Sequence, residues 1–483
     1  MTPAAATSSV GRVTDLSDNE AEVIIVGAGP VGLWLAAELR LAGVDTMVLE
    51  RAAEPVPHPK ALGLHARTLE QLALRGAVDA FLAGGVQVPA WHFGFLEQRL
   101  DLTRLDSPYP FLLSFPQDRT EALLQQRALD LGARIIRSQE VVGLDQDDTG
   151  VRLTTASGAS LHAGWVVGAD GAGSAVRRLT EIDFPGTDAD VYAYLGDVHA
   201  EQPPPPGYGV QNERGALIVA PLPGGVIRVT GYDPENQEPG RREVTLTELS
   251  ETATRITGAD FGLHDPTWLT RFGNATRVAA RYRQGRVLLA GDAAHMHFPA
   301  GGVGLNLGLQ DATNLGWKLA AVAQDRAPAT LLDTYGTERR PWALDVAEHT
   351  LAQTALITAT TPTGQALRRL LSGLIGTLPD LSLTLARRLA GVDVRYPAAA
   401  GAHPLTGTSL TAGLELRDAR PALVTAPGVQ LPPPPGIRVV ELPSLPGATA
   451  ALIRPDGHVW WATSEQHPAA AAQQALASFN VRF

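Results

Sequence analysis

The stretch AEVIIVGAGPVGLWLAAELRLAGVDTMVLER, from Ala21 to Arg51, most constrains the fold of this chain. The continuous apolar run Val23–Val26 is typical of a strand buried on both faces of a parallel sheet. A glycine turn follows, and the spacing of apolar residues over Leu33–Leu41 predicts a helix. A second strand, Thr46–Leu49, then leads to an acidic residue. This order of elements predicts an α/β fold that begins with a Rossmann-type unit.

The glycine turn carries the spacing of a dinucleotide-binding loop. Gly27, Gly29 and Gly32 form G-x-G-x-x-G directly between the strand and the helix. The first glycine permits the tight turn, the second lets a pyrophosphate approach the backbone, and the third allows close helix–strand packing. Glu50 ends the second strand at the distance typical of an acid that binds a ribose hydroxyl. The sequence therefore predicts a dinucleotide cofactor.

Composition limits the partners and the chemistry. The chain has 483 residues, which predicts two or three domains. Its 39 basic and 50 acidic residues give a net charge of −11, which argues against nucleic acid or an anionic membrane surface. There is no cysteine, so thiolate chemistry and iron–sulfur clusters are excluded. Because no signal peptide or bilayer-spanning run is recognised, we expect a cytoplasmic protein without a membrane partner.

Pattern changes along the chain predict its organisation. A β-rich region with turn signals interrupts the cofactor-binding pattern, helical patterns follow it, and the last segment contains two strands about a turn, ALIRPDGHVWWAT. The predicted divisions are a disordered extension over residues 1–20, a discontinuous cofactor-binding domain over 21–182 and 271–342, a substrate-binding β-sheet domain over 183–270, a helical segment over 343–394 and a C-terminal domain over 395–483.

A second stretch, VLLAGDAAHMHFPAGGVGLNLGLQDATNLGWKLA, runs from Val287 to Ala320. A buried strand ends on Asp292, and a His-x-His segment, a glycine turn and a long helix follow. On these residues alone, a metal site, a phosphate cradle and a flavin ring all remain open. His295 and His297 alternate along an extended segment and so point in opposite directions, which disfavours a metal pair. We therefore predict no metal site.

Three motifs in order resemble the flavoprotein aromatic hydroxylases of the p-hydroxybenzoate hydroxylase type. They are VIIVGAGPVG, VVGADGAGSAVR and the stretch that begins at Val287, and the resemblance extends to RPDGHVWWA near the C-terminus. The segments ALGLHARTLE, FPGT, FGNATR and LLDTYGTERRP look closest to the actinomycete branch of aromatic-polyketide hydroxylases and rifamycin monooxygenases. The resemblance implies an α/β (α+β) protein with a Rossmann-type FAD-binding domain, a β-sheet substrate domain and a thioredoxin-like C-terminal domain.

The same resemblance implies FAD as cofactor, with NADPH or NADH and O2 as co-substrates. A flavin hydroperoxide would deliver oxygen to an electron-rich ring of a multi-ring aromatic substrate, in antibiotic biosynthesis. Asp292 would bind the ribityl hydroxyls, Asp170 would serve nicotinamide contact, and the helix that starts near Leu305 would stabilise reduced flavin. Asp170 as a simple turn residue remains an alternative. The implied cofactor-binding set is Gly27, Gly29, Pro30, Gly32, Glu50, Arg51, Lys60, Gln117, Asp170, Asp292, Pro299, Gly301, Gly302, Gly304, Leu305 and Asn306.

Two positions depart from the pattern of the family. Lys60 stands where an arginine lies along the flavin, and Val303 stands where many relatives have glutamine. A lysine supplies charge without a flat stacking fork. We expect Pro299 and Lys60 to be the catalytic residues, with Pro299 excluding water. Three alternatives remain open: an antibiotic-inactivating monooxygenase of the rifamycin type, a Baeyer–Villiger oxygenase, and a flavin-binding protein with a non-oxygenating reaction. A monomer and a homodimer are both compatible with the sequence.

Overall fold

The computed structural model describes residues 19–237, 244–479 and 481–482. The extension expected over residues 1–20 lies outside the described residues up to position 18, and Glu20 already belongs to the first strand. The N-terminal region alternates strands and helices, as its apolar runs predict. Its elements are β1 Glu20–Val26, α1 Pro30–Leu41, β2 Thr46–Leu49, β3 Gly63–Leu64, α2 Ala66–Leu74, α3 Val78–Gly84, β4 Val86–Val88, β5 Ala90–Trp91, β6 Leu100–Asp101, β7 Leu112–Ser114, α4 Gln117–Asp130, β8 Arg134–Ile136, β9 Val141–Gln146, β10 Val151–Thr155, β11 Ser160–Gly168 and α5 Ala175–Leu179.

A β-rich region follows, as the sequence predicts. Its long strands pair antiparallel in the order β14-β15-β16-β13-β17, and one helix packs against them. The last of these strands continues past residue 270, the expected boundary, to Gly273. Tyr194, one of the aromatic residues in this region, is buried and its hydroxyl donates to the Ala216 carbonyl. The elements are β12 Gly186–Thr187, β13 Tyr192–Ala200, β14 Gly209–Asn212, β15 Gly215–Pro221, β16 Ile227–Tyr232, α6 Leu246–Thr257 and β17 Leu263–Gly273.

The remaining chain returns to the first region and then forms a C-terminal unit. Helix α8 crosses the expected boundary at residue 342 without interruption, even though it contains Pro341. The elements are β18 Thr276–Val278, β19 Arg283–Gln284, β20 Val287–Leu289, β21 His295–Met296, α7 Gly304–Ala323, α8 Asp333–Ile357, α9 Pro362–Thr377, α10 Pro379–Leu389, β22 Ala422–Thr425, β23 Arg438–Glu441, β24 Ala450–Ile453, β25 Val459–Thr463 and α11 Ala469–Phe479.

The central sheet has the order β20-β11-β1-β2-β8, and these five strands are parallel. Strand β19 adds an antiparallel edge beside β20. Residues Val23–Val26 of β1 and all residues of β2 and β20 are buried, as expected for central strands that read as continuous apolar runs. The Rossmann-type α/β fold is therefore confirmed. Among the described residues, no helix combines the length and hydropathy needed to span a bilayer.

The C-terminal unit has a mixed sheet with the order β23-β22-β24-β25. Its first two strands are parallel and its other pairs are antiparallel. Helix α11 packs on this sheet. A thioredoxin-like assignment for residues 395–483 stays a prediction, and the sheet is compatible with it.

A buried ionic cluster joins the C-terminal unit to helices α7 and α8. The Glu338 carboxylate accepts hydrogen bonds from Lys318 at 2.7 Å and from Arg454 at 2.7 and 2.8 Å. Arg454 also pairs with Asp456. The carboxylate of Glu338 is only 9% exposed and the Lys318 side chain is 0% exposed. Because each charge has a partner, the cluster is tolerated, and removal of one member leaves an uncompensated buried charge.

We expect Glu338→Gln to destabilise the docked C-terminal unit by about 3–5 kcal/mol, because Lys318 and Arg454 lose their shared anion. The measurement is guanidinium unfolding together with limited proteolysis, which should release a C-terminal fragment. Asp418→Asn, an exposed carboxylate in the same unit, is the control. Equal stability of the two variants would contradict this account of domain docking.

Candidate active site

Three neighbouring strands of the central sheet end at the same edge. Strands β1, β11 and β20 are adjacent and parallel, so the turns that follow Val26, Gly168 and Leu289 meet there. The turns touch one another, since Ala169 N donates to Val26 O at 2.8 Å and Ala290 N donates to Gly168 O at 2.9 Å. The edge beyond the carboxyl ends of parallel strands is where open α/β sheets bind ligands. All three sequence motifs thus reach one place.

The first turn has a separate physical reason for each glycine. Gly27 has a φ of +109°, and a Cβ there would lie 2.4 Å from Ala169 O. A Cβ on Gly32 would lie 2.0 Å from the carbonyl oxygen of Gly27. For Gly29, by contrast, no atom of the described residues lies within 4 Å of the Cβ position. Gly27 and Gly32 are therefore required by packing, whereas Gly29 keeps a surface open at the start of α1.

Glu50 lies against this turn, although its contacts differ from the expected ribose contact. Its Oε2 atom accepts a hydrogen bond from Ala28 N at 2.8 Å, and its Oε1 atom accepts one from Ala52 N at 2.9 Å. A carboxylate has about four acceptor positions, so both oxygens can still bind another donor. Arg51 is exposed beside it. Ribose binding by Glu50 stays a prediction.

In the middle motif the Asp170 carboxylate caps helix α5. Its Oδ1 atom accepts from the Ser174 hydroxyl at 2.5 Å, and its Oδ2 atom accepts from Ala175 N at 2.6 Å. This is the turn role that the sequence left as the alternative to nicotinamide contact, which stays a prediction. Arg177 connects the second and third motifs, because its Nη1 atom donates to Ala293 O at 2.8 Å.

The third motif presents a glycine turn before helix α7. Gly301 and Gly302 have φ values of +78° and +70°, which favour glycine. Within the described part of the chain, no atom lies within 4 Å of the Cβ position of Gly302, and no side chain caps the α7 N-terminus. Gly304 and Leu305 begin the helix, and Asp292 and Pro299 are exposed next to the turn.

Asn306 holds this turn to the segment before α2. Its Oδ1 atom accepts from His65 N and from the Thr68 hydroxyl, both at 2.8 Å. Its amide donates to Gly63 O at 3.1 Å and to Gly302 O at 2.9 Å. With four protein partners, the Asn306 side chain has a positioning role. Because these partners occupy its side chain, Asn306 would bind the cofactor only through its backbone, and this stays a prediction.

Lys60 and Gln117 lie in adjoining segments. The Gln117 amide accepts from Ala61 N at 3.0 Å and donates to Glu121 at 2.8 Å, so its side chain fixes the chain next to Lys60. Lys60 is exposed, and its carbonyl accepts a hydrogen bond from Arg228 at 3.4 Å. Contact of either residue with a flavin stays a prediction.

Sequence reasoning missed Asp311, which organises the third motif from inside helix α7. Its side chain is 0% exposed and accepts hydrogen bonds from His295 at 2.6 Å, Gly291 N at 3.2 Å and Arg339 at 2.7 Å. The charge of Arg339 and the contact with His295 keep the pKa of Asp311 low despite its burial. Its only sequence signal is that it is the one acidic residue of helix α7.

These observations test whether an FAD-type cofactor fits this edge. Helix α1 also begins without a side-chain cap among the described residues, at Gly29. Two helix N-termini therefore offer unpaired N–H groups and positive dipole ends beside open backbone at Gly29 and Gly302. A pyrophosphate and a flavin pyrimidine edge are acceptors that match such donors. The residues fit the group.

A small apolar cluster lies where the β-sheet domain meets the third motif. Phe298 and Ala300, which flank the glycine turn, pack with Ala193 and Ala216 of the sheet and with Ile357 of α8. Aromatic side chains surround the cluster, and the rings of Phe272 and Phe298 lie 5.5 Å apart. Its members are buried, and the partly buried rings of Phe95, Tyr232 and Phe272 border it.

Comparison with known proteins identifies the family. Residues 20–350 match the family model described as FAD binding domain. The chain belongs to this family. It is 41% identical over 493 aligned residues to the 12-dehydrotetracycline 5-monooxygenase/anhydrotetracycline 6-monooxygenase of Streptomyces rimosus, covering 92% of this chain and 96% of that protein. The solved structure of the S. rimosus anhydrotetracycline hydroxylase OxyS superposes with a TM-score of 0.85 at 40% identity, covering 95% of this chain and 98% of that one.

Other relatives differ in their reactions. The rifampicin monooxygenase of Streptomyces venezuelae is 41% identical, with 92% of this chain and 96% of that protein covered. The dialkyldecalin synthase of Streptomyces rugosporus is 38% identical, with 91% of this chain and 95% of that protein covered. The resemblance to flavoprotein aromatic hydroxylases is confirmed, and the chain is a member of an FAD-dependent monooxygenase family.

The two glycines of the first turn make a matched pair for testing the FAD site. We expect Gly29→Ala to lower FAD affinity by at least about tenfold while apoprotein stability changes by less than about 0.5 kcal/mol, because the methyl group enters only ligand space. Gly32→Ala should destabilise the apoprotein itself, since its Cβ would meet the Gly27 carbonyl at 2.0 Å. FAD titration and thermal unfolding of the apoproteins measure both effects. If Gly29→Ala binds FAD normally, the pyrophosphate does not bind at this turn and the assignment is wrong.

Acid should weaken the fold around this site. Burial lowers the pKa of His65 to about 4, with an opposing contribution from its hydrogen bond to Gly301. The unfolded imidazole binds a proton below about pH 6.5, so its contribution to stability is present above that pH and is lost as the pH falls toward 4. We expect His65→Gln, whose amide can also donate to Gly301 O, to show a smaller loss of thermal stability between about pH 7 and 5. The exposed His264→Gln is the control, and an unchanged acid response of His65→Gln would contradict the assignment.

Proposed function

We propose that the protein hydroxylates an aromatic polyketide or a similar multi-ring phenol, with NADPH or NADH as electron donor and O2 as oxygen source. The observation that carries the proposal is the aromatic junction between the β-sheet domain and the glycine turn at Gly301–Gly302. Its nearness to the expected flavin edge would bring a flat ring to the reactive part of the cofactor. The tetracycline monooxygenase and hydroxylase among the relatives support this substrate class.

The residues of this chain have distinct parts in the proposed reaction. FAD, when bound, supplies the transfer of electrons from NAD(P)H to O2 and thereby the oxygen atom for the substrate. The start of α1 at Gly29 would hold the pyrophosphate, and Glu50 would accept a ribose hydroxyl proton in a hydrogen bond. The uncapped start of α7 would stabilise negative charge at the flavin pyrimidine.

Pro299 and Lys60 are both exposed, and we propose that both line the open side of the flavin site. We assign Pro299 to excluding water from the ring system, because it follows the buried Phe298 and has no backbone N–H to offer to solvent. Lys60 would supply a positive charge beside the bound flavin. An ammonium group cannot make the bidentate, stacked contact of an arginine, so Lys60→Arg should change the rate of flavin reduction more than the affinity for FAD.

Two other reactions have specific support among the relatives. The rifampicin monooxygenase supports the alternative in which this protein oxidises a finished antibiotic. A relative named as a dialkyldecalin synthase, not as a monooxygenase, supports the alternative of a flavin-binding protein with a non-oxygenating reaction. The exposed Lys60 and the buried Val303, at the two positions that depart from the family pattern, are compatible with such a change. Baeyer–Villiger insertion uses the same cofactor chemistry and has no separate support in the site.

Anaerobic stopped-flow reduction of the holoenzyme tests the proposal. The protein is mixed with NADPH or NADH in the presence and absence of multi-ring phenols, including anhydrotetracycline and rifampicin. We expect at least one phenol to accelerate loss of the oxidised flavin absorbance by about tenfold or more, as in a substrate-gated monooxygenase. Two variants are examined in parallel. Lys60→Arg keeps the positive charge, and Lys60→Met keeps the aliphatic chain without the charge.

Two results of this experiment would contradict the proposal. If neither nicotinamide reduces the bound FAD, even with a tightly bound phenol, the non-oxygenating reaction becomes the better assignment. If reduction is fast but independent of any aromatic ligand, the substrate class is wrong.

A further inference from the structure

Several buried polar side chains in and around residues 91–96, which we call the 91–96 loop, have an atom without a hydrogen-bond partner among the described residues. Across residues 19–237, 244–479 and 481–482, the buried nitrogens without a hydrogen-bond partner include Nδ1 of His65 and His92, Nε1 of Trp91 and Nε2 of Gln353. Leaving one such group unpaired costs about 1–3 kcal/mol, so several together point to a partner from outside the chain.

Two of these side chains, those of His65 and Gln353, meet at Gly301. The Nε2 atom of His65 lies 3.0 Å from Gly301 O, and a Cβ on Gly301 would lie 3.1 Å from Nε2 of Gln353. Gln353 reaches the loop, since its Oε1 atom accepts from Gly94 N at 3.0 Å. The ring of His92 packs edge-on against Phe95 at 4.7 Å. The loop is thus connected to the glycine turn through Gln353.

The loop is held in a strained conformation. Gly94 and Phe95 both have left-handed backbones, with φ values of +56° and +55°, and for Phe95 this costs about 1–3 kcal/mol. Arg368, only 6% exposed, holds the loop in this conformation by donating to Gly94 O at 2.9 Å and to Phe95 O at 2.5 Å. Strained backbone that is held in place by buried groups is found mainly at functional sites, where it fixes side chains in one orientation.

The imidazoles of this region are neutral at ordinary pH. Burial, together with the nearby charge of Arg99, lowers the pKa of His92 to about 3, and burial lowers the pKa of His65 to about 4. A neutral imidazole donates from one nitrogen and accepts at the other, so it suits a hydroxyl or carbonyl oxygen better than a carboxylate. Phe95 also joins the aromatic cluster at the junction with the β-sheet domain, which places the polar groups beside an apolar wall.

We propose that the 91–96 loop is a substrate-recognition loop, in which His92, supported by Gln353, binds a hydroxyl or carbonyl oxygen of the multi-ring aromatic ligand. Arg368 is a positioning residue that fixes the loop. This inference rests on the proposed function for the aromatic class of ligand, and it adds the residue that selects an oxygen substituent.

Ligand binding to the oxidised FAD holoenzyme tests the inference without any turnover. The probes are 1-naphthol and 1-methylnaphthalene, titrated by their perturbation of the flavin absorbance. The variants are His92→Phe, which keeps the ring packing against Phe95, and the control His199→Phe. His199 is a partly buried imidazole on β13 that stacks with His264 at the other end of the sheet.

We expect His92→Phe to lower the preference for 1-naphthol over 1-methylnaphthalene by about tenfold, the effect of losing one buried hydrogen bond. The Kd for 1-methylnaphthalene should stay within about twofold, and His199→Phe should keep the wild-type preference. An unchanged preference in His92→Phe would overturn the inference, and so would the absence of binding of both probes to the wild type.

A crystal structure of the wild-type holoenzyme with 1-naphthol examines the same point without a variant. The naphthol oxygen should lie within hydrogen-bond distance of the His92 imidazole, and an oxygen bound elsewhere, or a water in its place, would overturn the inference. If naphthol binds through His92 but no phenol accelerates flavin reduction, the proposed hydroxylation fails and the recognition loop stands. If reduction is accelerated while the preference is unaffected by His92→Phe, only the recognition loop fails.

Discussion

The parallel pairing of β1, β11 and β20 is the constraint on which the rest of this molecule depends. Because their carboxyl ends share one edge, turns that are more than a hundred residues apart in the chain touch there. The contacts are tight enough that a side chain on Gly27 or Gly32 would collide with backbone. Two helix N-termini then open onto the same edge. A single sheet register therefore brings together the turns to which we assign the pyrophosphate and the flavin.

Buried charges hold this edge to the remainder of the fold. Asp311 ties the turn after β20 to helix α8 through Arg339, whose side chain is fully buried. The preceding residue of α8, Glu338, binds Lys318 and Arg454 and so fixes the C-terminal unit. The C-terminal unit thus contacts the same helices that shape the site. Its role in this account is mechanical, since the chain has no cysteine for thiol chemistry.

Much of the fold and the location of the site could be predicted because they depend on local patterns. The range of α7, Gly304–Ala323, and that of β2, Thr46–Leu49, follow directly from apolar spacing and glycine turns. The reach of individual side chains could not be predicted in the same way. The Asp170 carboxylate caps helix α5, which follows it, and the Asn306 amide is satisfied by protein partners. His92 and Arg368 carry no local signal, because their importance arises from a loop that meets α8 and α9 only in the folded chain.

The central claim is that this edge holds FAD and that the aromatic junction beside it receives the substrate for oxygen insertion. Turnover of the holoenzyme with NADPH under 18O2, with a phenol that accelerates flavin reduction, tests it most directly by mass spectrometry of the product. The account predicts a product that carries one labelled oxygen atom from O2. A product with no label, or a rearranged ligand of unchanged mass, would contradict it.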